Sequence, residues 1–89
     1  MQNEVYERIA LDFFSPDHRN HTVLTKGLLE EANEVKEAEE TGTKEDLLDE
    51  LGDVLWYITV MANQEGSSLG EIMKRNYFKL EYRAVNGKV

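Results

Sequence analysis

The sequence predicts an all-α fold: four helices packed as an antiparallel bundle and assembled as a homo-oligomer. Three observations lead there. Apolar residues recur at three- and four-residue steps, and no β-type alternation persists anywhere. Proline occurs once, at Pro16, and a few Gly- and Ser-containing breaks divide the chain into four periodic stretches. The chain has only 89 residues, yet its run from Val54 to Ala62, interrupted by Thr59, is apolar on nearly every side of a helix. A helix that is apolar all round has to be buried all round. So short a chain has too little protein to cover it, and a partner subunit with this helix in the interface is the simplest remedy.

The first helix is expected from about Asn3 to Phe14, where Val5, Ile9 and Phe13 recur at four-residue steps with Tyr6 alongside. Ser15-Pro16-Asp17 ends it, because proline disfavours the helical conformation in the residue before it. The second runs from about His18 to Glu40, with Leu24, Leu28, Ala32 and Val35 marking its buried face. Thr41-Gly42-Thr43 is the break, with glycine as the usual C-terminal stop. Thr43 followed by Asp46 forms a capping pair and opens the third helix, Lys44 to Gln64. After Gly66-Ser67-Ser68, Ser68 caps a fourth helix from Leu69 to about Ala84, with Leu69, Ile72, Met73, Tyr77 and Leu80 on its apolar face. Short connections between four helices imply an antiparallel bundle, in one domain over residues 1–89.

Composition narrows the function. The net charge is −8, from 18 acidic and 10 basic residues. Such a chain repels phosphate backbones, so nucleic acid is not an expected partner. The charge suits a protein that collects divalent cations, and equally one that uses acids to stay in solution. Without cysteine there are no disulfides and no thiolate metal sites, and a reducing cytoplasm is the natural setting. No basic segment leading into an apolar stretch marks a signal peptide. The longest apolar run falls far short of the ~20 residues that span a bilayer, so no membrane association is expected.

Two acid pairs carry the chemistry. Glu31 and Glu34 lie three apart on the second helix, with Glu30 adjoining, and Glu50 and Asp53 lie three apart on the third. Residues at that spacing share a helix face. Glu34 and Glu50 stand 8 residues before and after Gly42, and Glu31 and Asp53 stand 11 before and after. An antiparallel hairpin around Gly42 therefore sets both pairs at one height. Four carboxylates meeting there repel one another unless a cation sits between them. Mg²⁺, hard and oxygen-seeking, is the natural occupant, with Mn²⁺ as a substitute. Such an ion can polarise a phosphoryl oxygen and activate a water. Spacing alone is a weak signal, since Glu4/Glu7, Glu34/Glu37, Glu37/Glu40 and Asp46/Asp49 repeat it, and a solvated acidic face would look the same. Context separates Glu50 and Asp53, which sit among Leu47, Leu48, Leu51, Val54 and Leu55, where an uncompensated carboxylate is costly. Gly52 between them either admits a metal or ligand or allows a close helix.

The stretches Leu28-Leu29-Glu30-Glu31-Ala32-Asn33-Glu34-Val35 and Glu50-Leu51-Gly52-Asp53-Val54-Leu55-Trp56-Tyr57 resemble the E-E-x-x-E … E-x-x-D signature of MazG-like nucleotide pyrophosphohydrolases. Downstream, Asn76-Tyr77-Phe78-Lys79-Leu80 and Arg83 are similar to that family's closing N-x-x-K-L-x-x-R element. The resemblance covers about two thirds of the chain, from Lys26 to Arg83. It implies a Mg²⁺-dependent, all-α, dimeric or tetrameric enzyme that hydrolyses a nucleoside triphosphate (NTP or dNTP) to the monophosphate and pyrophosphate by metal-activated water. Glu31, Glu34, Glu50 and Asp53 would be metal ligands. Glu30 matches a recurring acid that would help orient a water, and Asn76, Lys79 and Arg83 match the substrate-binding element. Phosphoribosyl-ATP pyrophosphohydrolases and dimeric dUTPase-like enzymes belong to the same superfamily and stay open as alternatives. A non-catalytic helical oligomer or partner-binding module is the rival outside it.

Asn76, Lys79 and Arg83 recur at steps of three and four and share a helix face. A Lys and an Arg one turn apart suit a polyphosphate, or else pair with neighbouring acids such as Glu81. Trp56 and Tyr57 belong to the core more readily than to a base-stacking site, and His18 and His21 to the surface more readily than to a metal. A phosphate-cradling glycine loop and a nucleophilic triad are both missing, so attack by water is the mechanism the sequence permits.

Overall fold

Every helix but the first, which follows Gln2 without a side-chain cap, begins where a side chain satisfies one of its first free N–H groups. In the computed structural model, which describes residues 1–14 and 20–87, the helices are α1 (Asn3–Leu11), α2 (His21–Thr41), α3 (Lys44–Gln64) and α4 (Leu69–Val85). Asn20 caps α2, its side chain accepting from the Thr22 N–H at 2.8 Å. Thr43 and Asp46 form the expected capping box on α3, at 3.1 Å and 3.0 Å. Ser68 caps α4 by accepting from the Glu71 N–H at 3.0 Å. No strand occurs among the described residues.

Four boundaries differ from the sequence reading, one of them the end of α2, at Thr41 and not Glu40. α1 stops at Leu11, because the N–H groups of Asp12, Phe13 and Phe14 turn to carbonyls three residues back and tighten the chain out of the α-helix. The expected stop at Pro16 lies outside the described residues, as does the expected start of α2 at His18. With Asn20 as cap, α2 begins at His21, and α4 runs one residue further than expected, to Val85. Gly42 also acts differently from the usual left-handed stop. Its backbone is extended, and a Cβ there would stand 2.9 Å from the Ala38 carbonyl oxygen. Glycine makes room for the tight reversal. The left-handed position is Gly66, with φ of 72°, between α3 and α4.

α2 and α3 form an antiparallel hairpin, the most extensive contact in the chain. Its seam is read from burial: Leu24, Gly27, Leu28, Glu31, Val35 and Ala38 from α2, and Leu47, Glu50, Val54, Tyr57 and Met61 from α3. The expected seam residue Ala32 is exposed, because Glu31 takes the inward position one residue earlier. α1 lies on α3, where the Trp56 indole N–H donates to the Ala10 carbonyl at 2.9 Å. Its inward residues are Tyr6, Glu7, Ala10, Leu11 and Phe14, whereas the expected stripe faces out, with Phe13 72% exposed. Both sets step by three or four, and the small Ala10 fits closer to α3.

α4 is fastened at its start only. Its first N–H, on Leu69, donates to the Glu7 carboxylate at 2.9 Å, and Leu69 itself is buried. From Ile72 to the end every residue of α4 is exposed. The radius of gyration is accordingly 14.7 Å, against ~12 Å for a compact chain of this length. α3 is not buried all round within one chain either, for Leu48, Leu51 and Leu55 are 56%, 45% and 38% exposed.

Candidate metal centre

The hairpin seam is apolar along its length except at one layer, where Glu31 and Glu50 enter it. Glu31 stands three residues after Leu28, and Glu50 three after Leu47, so the helical repeat turns both toward the partner helix. Asp53, one turn beyond Glu50, joins them from the exposed rim. Each of the three carboxylates presents an oxygen within 4.8 Å of the others. Glu31 and Glu50 are half-buried, and the Oε2 atom of each is shut off from solvent without a hydrogen-bond partner. Buried polar atoms are rarely left so.

The electrostatics follow from this crowding. The carboxyl of Glu50 is pushed up to about 7 from an ordinary 4.5, by desolvation first, then by the adjacent carboxylate of Glu34, and then by Asp53 and Glu31. Glu31 is also raised, by desolvation and then by repulsion from Asp53 and Glu34, with Glu50 alone acting in the opposite direction. Two acids whose ionisation is hindered, each with an oxygen lacking a partner, and the carboxylate of Asp53 beside them form a donor set fitted to a hard divalent cation. A cation there would satisfy the orphaned oxygens and relieve the repulsion.

Glu34 is exposed and lies beside Glu50, in a shallow groove shared with Glu37, Ala38, Thr41, Gly42 and Asp46. Glu30 is exposed on the neighbouring flank. Gly52 faces open space, since a Cβ would meet nothing within 4 Å, so no helix of this chain explains it. Asn76, Lys79 and Arg83 sit on the exposed length of α4 and are not packed onto the cluster. Among the described residues no ion pair engages Lys79 or Arg83; Arg75 pairs with Glu71 at 3.1 Å. The His18 and His21 side chains lie outside the described residues.

Two tyrosines flank the cluster, and sequence reasoning gave neither a place there. Tyr6, on α1, is near enough to Asp53 for that charge, after burial, to raise its phenol. Tyr57, on α3, is raised by burial and then by Glu31, Glu30 and Asp53. For Tyr57 the signal was present in the spacing, one helical turn beyond Asp53 and two beyond Glu50. For Tyr6 there was none, because no local pattern tells where α1 docks. Trp56 is spent on packing: its ring meets that of Tyr57 edge-on, with centroids 5.0 Å apart.

The family model described as the MazG nucleotide pyrophosphohydrolase domain matches residues 19–87, which include both acid pairs and the whole of α4. The "Gene 37 protein" of Mycobacterium phage L5 is 41% identical over 46 residues, 52% of this chain and 40% of that protein. The chain thus spans less than half the length of that relative. No solved structure matches it.

Proposed function

The chain belongs to the MazG nucleotide pyrophosphohydrolase domain family, and on that premise we propose that it hydrolyses a nucleoside triphosphate to the monophosphate and pyrophosphate with Mg²⁺ as cofactor. The observation that carries this reading is the convergence of Glu31, Glu50 and Asp53 within 4.8 Å in a seam that leaves two carboxylate oxygens unsatisfied. These three would hold the ion, with Glu34 beside Glu50 as a fourth carboxylate. Once bound, the ion supplies the Lewis acidity that draws charge off the phosphates and off the attacking water. Water adds to phosphorus, the bridging oxygen between the α and β phosphates leaves with pyrophosphate, and the water's proton is released. Glu30, on the exposed flank of α2, helps orient that water. Phosphoryl transfer needs mainly positioning and charge neutralisation, and the cations Lys79 and Arg83 are free to hold phosphates while Asn76 positions the ligand.

The working unit in this reading is a homo-oligomer. Leu48, Leu51 and Leu55 on α3 and Met73, Tyr77, Phe78 and Tyr82 on α4 leave apolar surface uncovered on both helices. α4 also carries four basic residues and two acidic ones, on a chain whose net charge is −8. A second copy would cover the apolar faces and bring the basic helix beside an acidic hairpin. Pyrophosphate release from a panel of NTPs and dNTPs, with Mg²⁺ and with EDTA, tests the activity. Metal-dependent release from one or a few of them is expected; no release by the folded protein from any of them would refute it.

A further inference from the structure

We propose that Tyr57 is a positioning residue for the acidic cluster: its ring, seated on the bare Cα of Gly27, sets the spacing of α2 and α3 in the layer next to Glu31, Glu50 and Asp53. The inference rests on the divalent-cation reading of that cluster.

The layers are adjacent. Gly27 precedes Glu31 by four residues on α2, and Tyr57 follows Asp53 by four on α3, so each lies one helical turn, ~5.4 Å, from its acid. A Cβ on Gly27 would stand 2.5 Å from Cε1, Cζ and Oη of Tyr57. The hydroxyl end of the ring therefore lies directly against the α2 backbone, in space that any other residue at 27 would fill. Gly27 is buried and its backbone is helical, with no positive φ. Close approach is thus the reason for a glycine here, at a cost of ~1 kcal/mol in helix propensity relative to alanine.

The ring has little freedom to yield. Trp56 meets it edge-on at an interplanar angle of 87°, and Trp56 is itself tied to the Ala10 carbonyl. Tyr57 is therefore a stiff spacer between α1–α3 packing on one side and the α2 backbone on the other. The negative field of Glu31, Glu30 and Asp53, added to burial, keeps its phenol protonated and hence neutral. Mg²⁺ demands oxygens at ~2.0–2.1 Å in near-octahedral order. A change in helix separation one turn away shifts Glu31 relative to Glu50 and Asp53, and with them the oxygens that would have to meet that order. Residues that orient ligands without touching the ion are worth ~10–100-fold in metal affinity.

The test is calorimetric titration with Mn²⁺ of the wild type and of Gly27→Ala, Tyr57→Phe, Tyr57→Leu and the Gly27→Ala/Tyr57→Leu double variant, with the apo melting temperature of each. Gly27→Ala and Tyr57→Leu are each expected to weaken Mn²⁺ binding by about tenfold or more, and Tyr57→Phe, which keeps the ring, by no more than about threefold. The double variant should bind as Tyr57→Leu does, because the new Cβ costs nothing once the ring is gone. Equal losses from Gly27→Ala in both backgrounds, or a lowered melting temperature with unchanged Mn²⁺ affinity, would overturn the proposal. If Gly27→Ala does not fold, unchanged affinity in Tyr57→Leu overturns it alone. A folded wild type that binds no Mn²⁺ removes the cation reading itself and this inference with it.

Discussion

Metal binding to this cluster should be strongly pH-dependent, with Glu50 as the titrating group. In the metal-free protein its carboxyl is pushed up to about 7 by desolvation and by Glu34, Asp53 and Glu31. A cation must displace that proton to bind. At pH 6 about nine in ten Glu50 carboxyls are then protonated, and at pH 8 about one in eleven. Apparent Mn²⁺ affinity should therefore rise roughly tenfold per pH unit below 7 and level off above it, with about one proton released per ion at the acid end. Calorimetry from pH 5.5 to 8.5, in buffers of different ionisation heat, measures affinity and proton release together. The raised carboxyl also fixes the sign of apo stability. Between 4.5 and about 7 the folded state holds more protons than the unfolded chain, so apo stability falls as pH rises through that window. Mn²⁺ should then raise the melting temperature more at pH 8 than at pH 5.5. Affinity independent of pH between 5.5 and 7, with Glu50 intact, would show that no Glu50 proton stands in the way of the cation.

Further outcomes follow from other parts of the fold. Trp56→Phe removes the indole hydrogen bond that ties α3 to α1 and should lower stability by about 1 kcal/mol in urea denaturation; an unchanged midpoint would show that the contact is not formed in solution. Leu51→Glu places a charge on the uncovered face of α3 and should weaken self-association at least ~10-fold by analytical ultracentrifugation; a wild type that sediments as a monomer would contradict the oligomer. Lys79→Ala and Arg83→Ala should each lower kcat/KM by ~10–100-fold with the fold intact by circular dichroism, and activity equal to wild type would remove α4 from the phosphate site.

Local chemistry was the most legible part of the sequence. The start of α3 could be read to the residue, because Thr43 and Asp46 cap each other across one turn. The start of α4 was equally plain from Ser68. Asn20 is an equally good cap, yet proline and histidine upstream drew the expected start of α2 too early. The acidic layer was legible because an antiparallel hairpin is nearly symmetric about its turn, so equal distances from Gly42 translate into equal height. What could not be read locally was docking. Val5-Ile9-Phe13 and Tyr6-Ala10-Phe14 have the same spacing, and only the surface of α3 chooses between them. The same limit hid Tyr6 beside Asp53, and it hid that α4 is exposed from Ile72 onward, since its apolar spacing reads the same whether or not the helix packs.

If Glu31, Glu50 and Asp53 hold the cation on which catalysis depends, pyrophosphate release by Glu50→Gln and Asp53→Asn reports on it without an intermediary. Both substitutions keep size while removing charge from the crowded layer. Both variants should fold, Glu50→Gln at least as stably as the wild type without metal, and release in Mg²⁺ should be abolished in both. Activity retained by both variants would contradict that placement of the cation.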